Sequence, residues 1–240
     1  MAVVVADKNF IASLPLFSGL GRAEIERLLQ FSSVQRYPPG TLLFHEGDQP
    51  DKLHLVLSGT VEIFSDGSGR EWGVMLMNAG DVFVPAAVLF DERYTISART
   101  LGYCRLLLLD AERVRAEAAG SAQFAIQLSR AMAGQFRDAI RQVLDLKSRN
   151  AAQRLANFLL KIVDRSSSPV PELPMRKRSL AARIGMTPET LSRTLQVLAD
   201  NGLVVRGRQI LVRDRERIQA FCGPDPYSPA AEEKLEVHVL

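Results

Sequence analysis

Between Val34 and Leu109, short apolar runs (TLLF, LHLVL, VEIF, GVMLM, YTISA, CRLLLL) alternate with glycines at positions 40, 47, 59, 67, 80 and 102. Strands this short and this evenly punctuated predict a compact β-barrel or roll, with a plain β-sandwich as the other solution. The period changes on either side. Before the runs, Leu14-Pro15-Leu16-Phe17 leads into a short amphipathic helix with Ile25, Leu28 and Leu29 on one side. After them, from about Asp110 to Asn150, turn signals vanish except Gly120 and Gly134, and the segment reads as helix. Ala125, Met132, Ala139 and Leu146 recur at sevens, with Phe136 and Val143 four residues after two of them, while Arg130, Arg137, Asp138 and Arg141 stand off that line. That is a heptad seam, which either packs on its own domain or joins two copies of the chain.

A further amphipathic helix is predicted over Asn150 to Val163, and the Ser166–Pro174 stretch then breaks regular structure. From Ser179 to Asp214 the spacing is that of a winged helix-turn-helix: a short helix to Ile184, a turn at Gly185, a second helix and a two-stranded wing. Ala181 lets the helices approach, Gly185 takes the left-handed turn, and Leu191 and Leu195 fasten the second helix to the core. Thr187 is a good N-cap and Pro188 a good first helical residue. Glu189, Ser192 and Arg193 are left on the exposed N-terminal face. Arg193 has the donors for guanine O6 and N7, Glu189 can accept from the cytosine amino group, and Ser192 suits either. The bland alternative for Glu189 and Arg193 is an i,i+4 salt bridge, a matter of tenths of a kcal/mol. In the wing, Arg206, Arg208 and Arg213 are candidates for phosphate contacts.

Charge sharpens the division. The net formal charge is +3, but residues 1 to 117 carry 11 basic and 15 acidic side chains, against 10 and 4 over 174 to 217. The basic end coincides with the proposed reader, so double-stranded DNA is the expected partner. Two cysteines, Cys104 and Cys222, allow neither a disulfide framework nor a four-cysteine iron-sulfur site within one chain. With no signal-like leader and no apolar stretch of membrane length, a cytoplasmic protein without membrane contact is expected. Three scattered histidines, no glycine-rich phosphate loop and no hydrolase or metalloprotease motif give an enzyme nothing to stand on. The expected class is α+β: a β-roll domain over 1–117, a dimerisation helix over 118–149, a DNA-binding domain over 150–222 and a tail over 223–240.

PPGTLLFHEGDQPDKLHLVLSGTVEIF, followed by NAGDVF, a long helix and the ETLSR string, resembles the CRP/FNR family of bacterial transcription regulators over roughly residues 10 to 222. The resemblance implies a cyclic-nucleotide-binding-like roll, a homodimer joined along the long helix and RNA polymerase as a further partner. Glu189, Ser192 and Arg193 match the FNR-like pattern, which implies a target similar to TTGAT, four free bases, ATCAA. The family's nucleotide pocket uses a Gly-Glu pair and an Arg-Ser pair. Here the first site reads Phe83-Val84-Pro85-Ala86-Ala87 and the arginine position falls at Glu92, with Arg93 next to it, so cyclic AMP is not expected. No cysteine precedes Cys104, so the iron-sulfur chemistry of one branch is absent. Phe83, Val84, Pro85, Ala86, Val88 and Leu89 would form an apolar pocket able to take a flat cofactor such as haem. DLKSRN and PETLSR are similar to regulators of dissimilatory nitrate respiration, which implies a haem-based nitric oxide or redox signal in anaerobic or nitrogen-oxide respiration. Axial-ligand candidates are His45, His54 and His238; a lone histidine is more often structural. The competing expectations are a nucleotide-binding module that regulates a partner enzyme, and a family member without a small effector.

Overall fold

The computed structural model describes residues 5–66, 71–166 and 168–223. His238, and the expected tail beyond its first residue, lie outside them. The chain forms two compact units, one ending at Ile140 and the other beginning at Arg141.

In the first unit, α1 (Val5–Ala12), a 3-10 turn (Pro15–Phe17) and α2 (Arg22–Gln30) precede eight strands. These are β1 (Ser33–Tyr37), β2 (Leu42–Phe44), β3 (Lys52–Ser58), β4 (Val61–Ser65), β5 (Trp72–Met77), β6 (Val82–Phe83), β7 (Ser97–Thr100) and β8 (Cys104–Asp110), with α3 (Pro85–Phe90) between β6 and β7. They pair into two antiparallel sheets, ordered β1-β8-β3-β6 and β2-β7-β4-β5. The order is that of a roll: consecutive strands cross between the sheets except β4 and β5, which pair with each other.

The sheet containing β3 and β8 is covered on both faces, and this explains why LHLVL and RLLLL lack the alternation of a half-exposed strand. Leu53, Leu55, Leu57, Leu107 and Leu109 face one core, which the helices complete with Phe17, Leu28, Phe124 and Leu128. Val56, Leu106 and Leu108 face the other, between the sheets, with Phe44, Val61, Ile63, Phe83 and Tyr94. Gly59, at φ +91, turns β3 into β4 where a Cβ would meet the Tyr103 carbonyl oxygen at 2.5 Å, so no other residue fits there.

α4 (Ala111–Gly120) and α5 (Ala122–Ser148) follow. The uninterrupted helix expected from 118 is broken at Ser121, whose backbone is extended and whose Oγ accepts from the Phe124 N–H and donates to Glu24. The side chain thus supplies the cap that starts α5. In the second unit, α6 (Ala151–Arg165), capped by Asn150, is followed by α7 (Lys177–Ile184), α8 (Pro188–Asp200), β9 (Leu203–Arg206), β10 (Gln209–Val212) and α9 (Arg215–Cys222). Leu155, Leu159, Leu180, Leu191, Leu198, Leu203, Ile210 and Ile218 are buried. A bridge between Glu172 and Gln209 adds a third extended segment to the wing.

Candidate nucleic-acid interface and sensing roll

α7 begins two residues earlier than the spacing suggested and ends at Gly185, which lies at φ +78. The Met186 N–H closes the turn on the Ala181 carbonyl at 2.9 Å, and Ala181 is buried, so the two helices meet where a larger side chain would hold them apart. Thr187 caps α8: its Oγ1 accepts from the Thr190 N–H at 3.2 Å, and Pro188 is the first helical residue. Leu191, Thr194 and Leu198 fix one side of α8 in the core, with Leu195 half-buried beside them.

The opposite side carries Glu189, Ser192 and Arg193, all exposed. Among the described residues, Glu189 and Arg193 form no ion pair with each other, so the salt-bridge alternative does not hold in this structure and the guanidinium fork of Arg193 is free. Hydrogen bonds from its own backbone N–H and from the Thr187 hydroxyl hold the Glu189 carboxyl below the ordinary value. It is therefore an acceptor at neutral pH, which suits a cytosine amino group.

The wing departs from expectation at one residue. Arg206 is exposed at the β9 end of the hairpin, opposite Gln209, and Arg213 is exposed beyond β10. Arg208, in contrast, is turned onto the protein, donating from Nη2 and Nε to the Leu173 carbonyl at 2.7 and 3.2 Å. Its backbone carbonyl also accepts from the Leu173 N–H at 2.7 Å, so Arg208 fastens the third segment to the wing. The sequence shows the arginine but not the extended partner that claims it. Gly202, at φ +91, allows the wing to close on Asp214, whose Cβ would lie 2.6 Å from an added Cβ.

Three cations escaped the sequence reading. Arg176, Lys177 and Arg178 are exposed at and just before the start of α7. Cations at a helix N-terminus oppose the helix dipole, typically by 0.3–1 kcal/mol each, so their position suits a phosphate better than it suits the fold. Elsewhere in this unit the scaffold is tightly tied. Arg149 pairs with Asp145 and donates to the Cys222 carbonyl at 2.9 Å, and Arg154 donates to the carbonyls of Arg149 and Ile184.

Along α5, Ile126, Phe136, Val143 and Leu146 are 47%, 67%, 50% and 63% exposed, and Ile140 is exposed as well. Of the expected seam, Ala139 is exposed while Ala125 and Met132 are half-buried. The large exposed apolar groups therefore include Ile126 and Ile140, one position on from Ala125 and Ala139.

The expected apolar pocket is not assembled as one surface. Phe83 and Ala87 pack into the core between the sheets, Val88 and Leu89 into the core against the helices, Pro85 is buried, and Ala86 is exposed. A six-residue helix turns neighbouring side chains to different sides, and α3 lies between two cores. Its two flanking residues, Val84 (φ +52) and Asp91 (φ +55), are left-handed without being glycine. For β-branched Val84 that is a strained conformation, costing about 1–3 kcal/mol. Glu92 is exposed, and Arg93 donates to the Gly47 carbonyl at 2.8 Å.

His54 lies inside the roll. Its ring stacks on Phe83 at 5.1 Å and meets Phe44 at 5.5 Å, Phe44 in turn stacking on Tyr94 at 3.8 Å. Among the described residues the Nδ1 atom is buried without a hydrogen-bond partner. Burial pushes the imidazole down to about 4, so it is neutral at pH 7. Between about pH 6.5 and about 4 the unfolded chain binds a proton that the folded chain refuses, and stability falls as the pH drops. His54→Phe is expected to remove about 2 kcal/mol of the stability change between pH 7 and pH 5. Urea unfolding at both values checks this; an unchanged pH dependence would contradict it. His45, by contrast, sits in an exposed turn, its backbone N–H donating to Asp48. Cys104 is a buried thiol whose Sγ lies 3.3 Å from the Thr60 carbonyl. Among the described residues no helix is long and apolar enough to cross a membrane, and no cluster of three potential metal ligands occurs.

Comparison with known proteins agrees with this geometry. The family described as "Cyclic nucleotide-binding domain" matches residues 34–120, and "Crp-like helix-turn-helix domain" matches residues 153–221. The Cyclic AMP receptor protein of Thermus thermophilus is 31% identical over 194 residues, covering 80% of this chain and 89% of that one. The Nitrogen fixation regulation protein FixK of Azorhizobium caulinodans is 30% identical over 186 residues, covering 74% of each. Among solved structures, FixK2 from Bradyrhizobium japonicum superposes with a TM-score of 0.71 at 25% identity, over 79% of this chain and 96% of that one. With a roll, a long helix and a Crp-like reader in that order, the chain belongs to the CRP/FNR family of DNA-binding transcription regulators, which are not enzymes.

Proposed function

We propose that two copies of this chain, joined along α5, read an inverted repeat similar to TTGAT, four free bases, ATCAA. Each copy sets Glu189, Ser192 and Arg193 against base edges, with Thr187 and Pro188 holding the helix start and Arg206 on phosphates. The observation that carries this is the capped α8 with its three polar side chains exposed and unpaired with one another. The exposed apolar line on α5 supports the homodimer, since a soluble helix leaves Phe136 and Leu146 in water only at a cost. Two recognition helices about 34 Å apart then meet successive major grooves.

An effector in the roll controls this arrangement by binding one of two conformations more tightly. A cyclic nucleotide is not favoured, because no arginine stands free at the phosphate position and Glu92 would repel the anion. Haem does not fit the roll as folded either. His54 is buried between the rings of Phe44 and Phe83, which would have to move for its imidazole to meet an iron, while His45 is held in an open turn. A nitric oxide or redox signal through haem is therefore not part of the proposal. Control of anaerobic or nitrogen-oxide respiration is supported by the FNR-like pattern on α8. RNA polymerase is the partner through which a DNA-bound dimer would act. A roll that senses nucleotides for a partner enzyme would leave α7, α8 and the wing without a task.

Fluorescence-anisotropy titration at fixed salt, with the inverted repeat and a scrambled duplex, tests the reading. The repeat is expected to bind at least about 10³-fold tighter. Equal affinities would refute it.

A further inference from the structure

Gln196 occupies the middle of the α8 face that the reading triad shares. At about 100° per residue it lies nearly opposite Leu198 and Thr194, the side chains that hold the helix to its core. It stands one turn beyond Ser192 and three residues beyond Arg193, and it is exposed. Among the described residues its amide has no hydrogen-bond partner, unlike that of Asn201 nearby, which donates back to the Val197 carbonyl at 2.8 Å.

We propose that Gln196 is a fourth base-reading residue and that it selects adenine. The chemistry follows from the amide, which offers one donor and one acceptor in a plane; in the major groove adenine offers N7 as acceptor and its amino group as donor. An uncharged side chain gains little from the long-range field of the phosphates, so a backbone role would suit lysine or arginine better. Three residues of helix rise about 4.5 Å, and base pairs are spaced about 3.4 Å, so Gln196 reaches a pair one or two steps from that of Arg193. The contact ends there. Asp200, one turn on, is exposed, and a carboxylate there would be repelled by the phosphates. This inference rests on the DNA reading above and gives a reader to one of the A·T pairs beside the guanine of each half-site.

Selection from a duplex pool randomised at the pairs one and two steps from the guanine in each half-site, with the full-length chain, tests it. The wild type is expected to enrich adenine at one position in each half-site. Gln196→Ala is expected to flatten that position alone, lowering affinity for the adenine site by roughly 5- to 150-fold per half-site. Gln196→Arg is expected to move the preference to guanine, because the fork matches O6 and N7. The inference is overturned if the alanine variant keeps the wild-type preference, or loses affinity equally for every sequence. A wild type that enriches no inverted repeat at all would instead bring down the DNA reading itself.

Discussion

Phe136→Glu combined with Val143→Glu is expected to yield a folded monomer that has lost most of its affinity for the operator. Both side chains are at least half exposed on α5, and glutamate is a good helix former, so the helix itself should persist. The loss falls on the contact between copies. Burying a large apolar side chain contributes roughly 1.5–3 kcal/mol, so four of them in a dimer contribute roughly 6–12 kcal/mol. Glutamates facing each other across a two-fold axis would add repulsion. With the second half-site no longer held by the same particle, the gain from linkage, on the order of 10²–10⁴, disappears. Sedimentation velocity reads the mass and anisotropy the affinity. A variant that remains dimeric would show that copies meet elsewhere.

Arg193→Ala is expected to have the next largest effect, on DNA binding alone. A bidentate arginine–guanine pair is worth about 1–3 kcal/mol, and a dimer makes two, so operator affinity should fall roughly thirty-fold to twenty-thousand-fold. Because Arg193 is exposed and unpaired, the melting temperature should not move. Discrimination at one guanine of each half-site should relax, while non-specific binding at low salt persists through Arg176, Lys177, Arg178 and Arg206. Unchanged operator affinity would remove Arg193 from the interface.

What the sequence reveals about the reader is nearly complete, because the start of α8 is fixed locally. Thr187 through its hydroxyl, and Pro188 and Gly185 through their backbones, specify cap, first turn and reversal with no need of distant partners. The errors arise where distant residues decide. Arg208 reads as a free cation until Leu173 and Glu172 come beside the wing from 35 residues away. The α5 seam is legible as a period of seven, but α5 also buries Phe124 and Leu128 in the first unit, and both of its sides are therefore apolar. Periodicity alone cannot tell which side faces inward, and it does not single out Ile126 and Ile140. The roll shows the same limit. The glycines mark its turns, yet a strand such as β3, buried on both faces, gives no alternation to show that His54 and Phe83 point to the same interior. The apolar run from Phe83 to Phe90 looks like one pocket wall only until α3 divides it between two cores.

Methylation protection on a duplex carrying the inverted repeat, with the bound mass measured in parallel, tests most directly whether two α8 helices read one palindrome. Two guanine N7 atoms, symmetric about the centre and about one helical turn apart, should be shielded by a particle of two chains. Shielding of neither guanine, or of one by a single bound chain, would contradict the account.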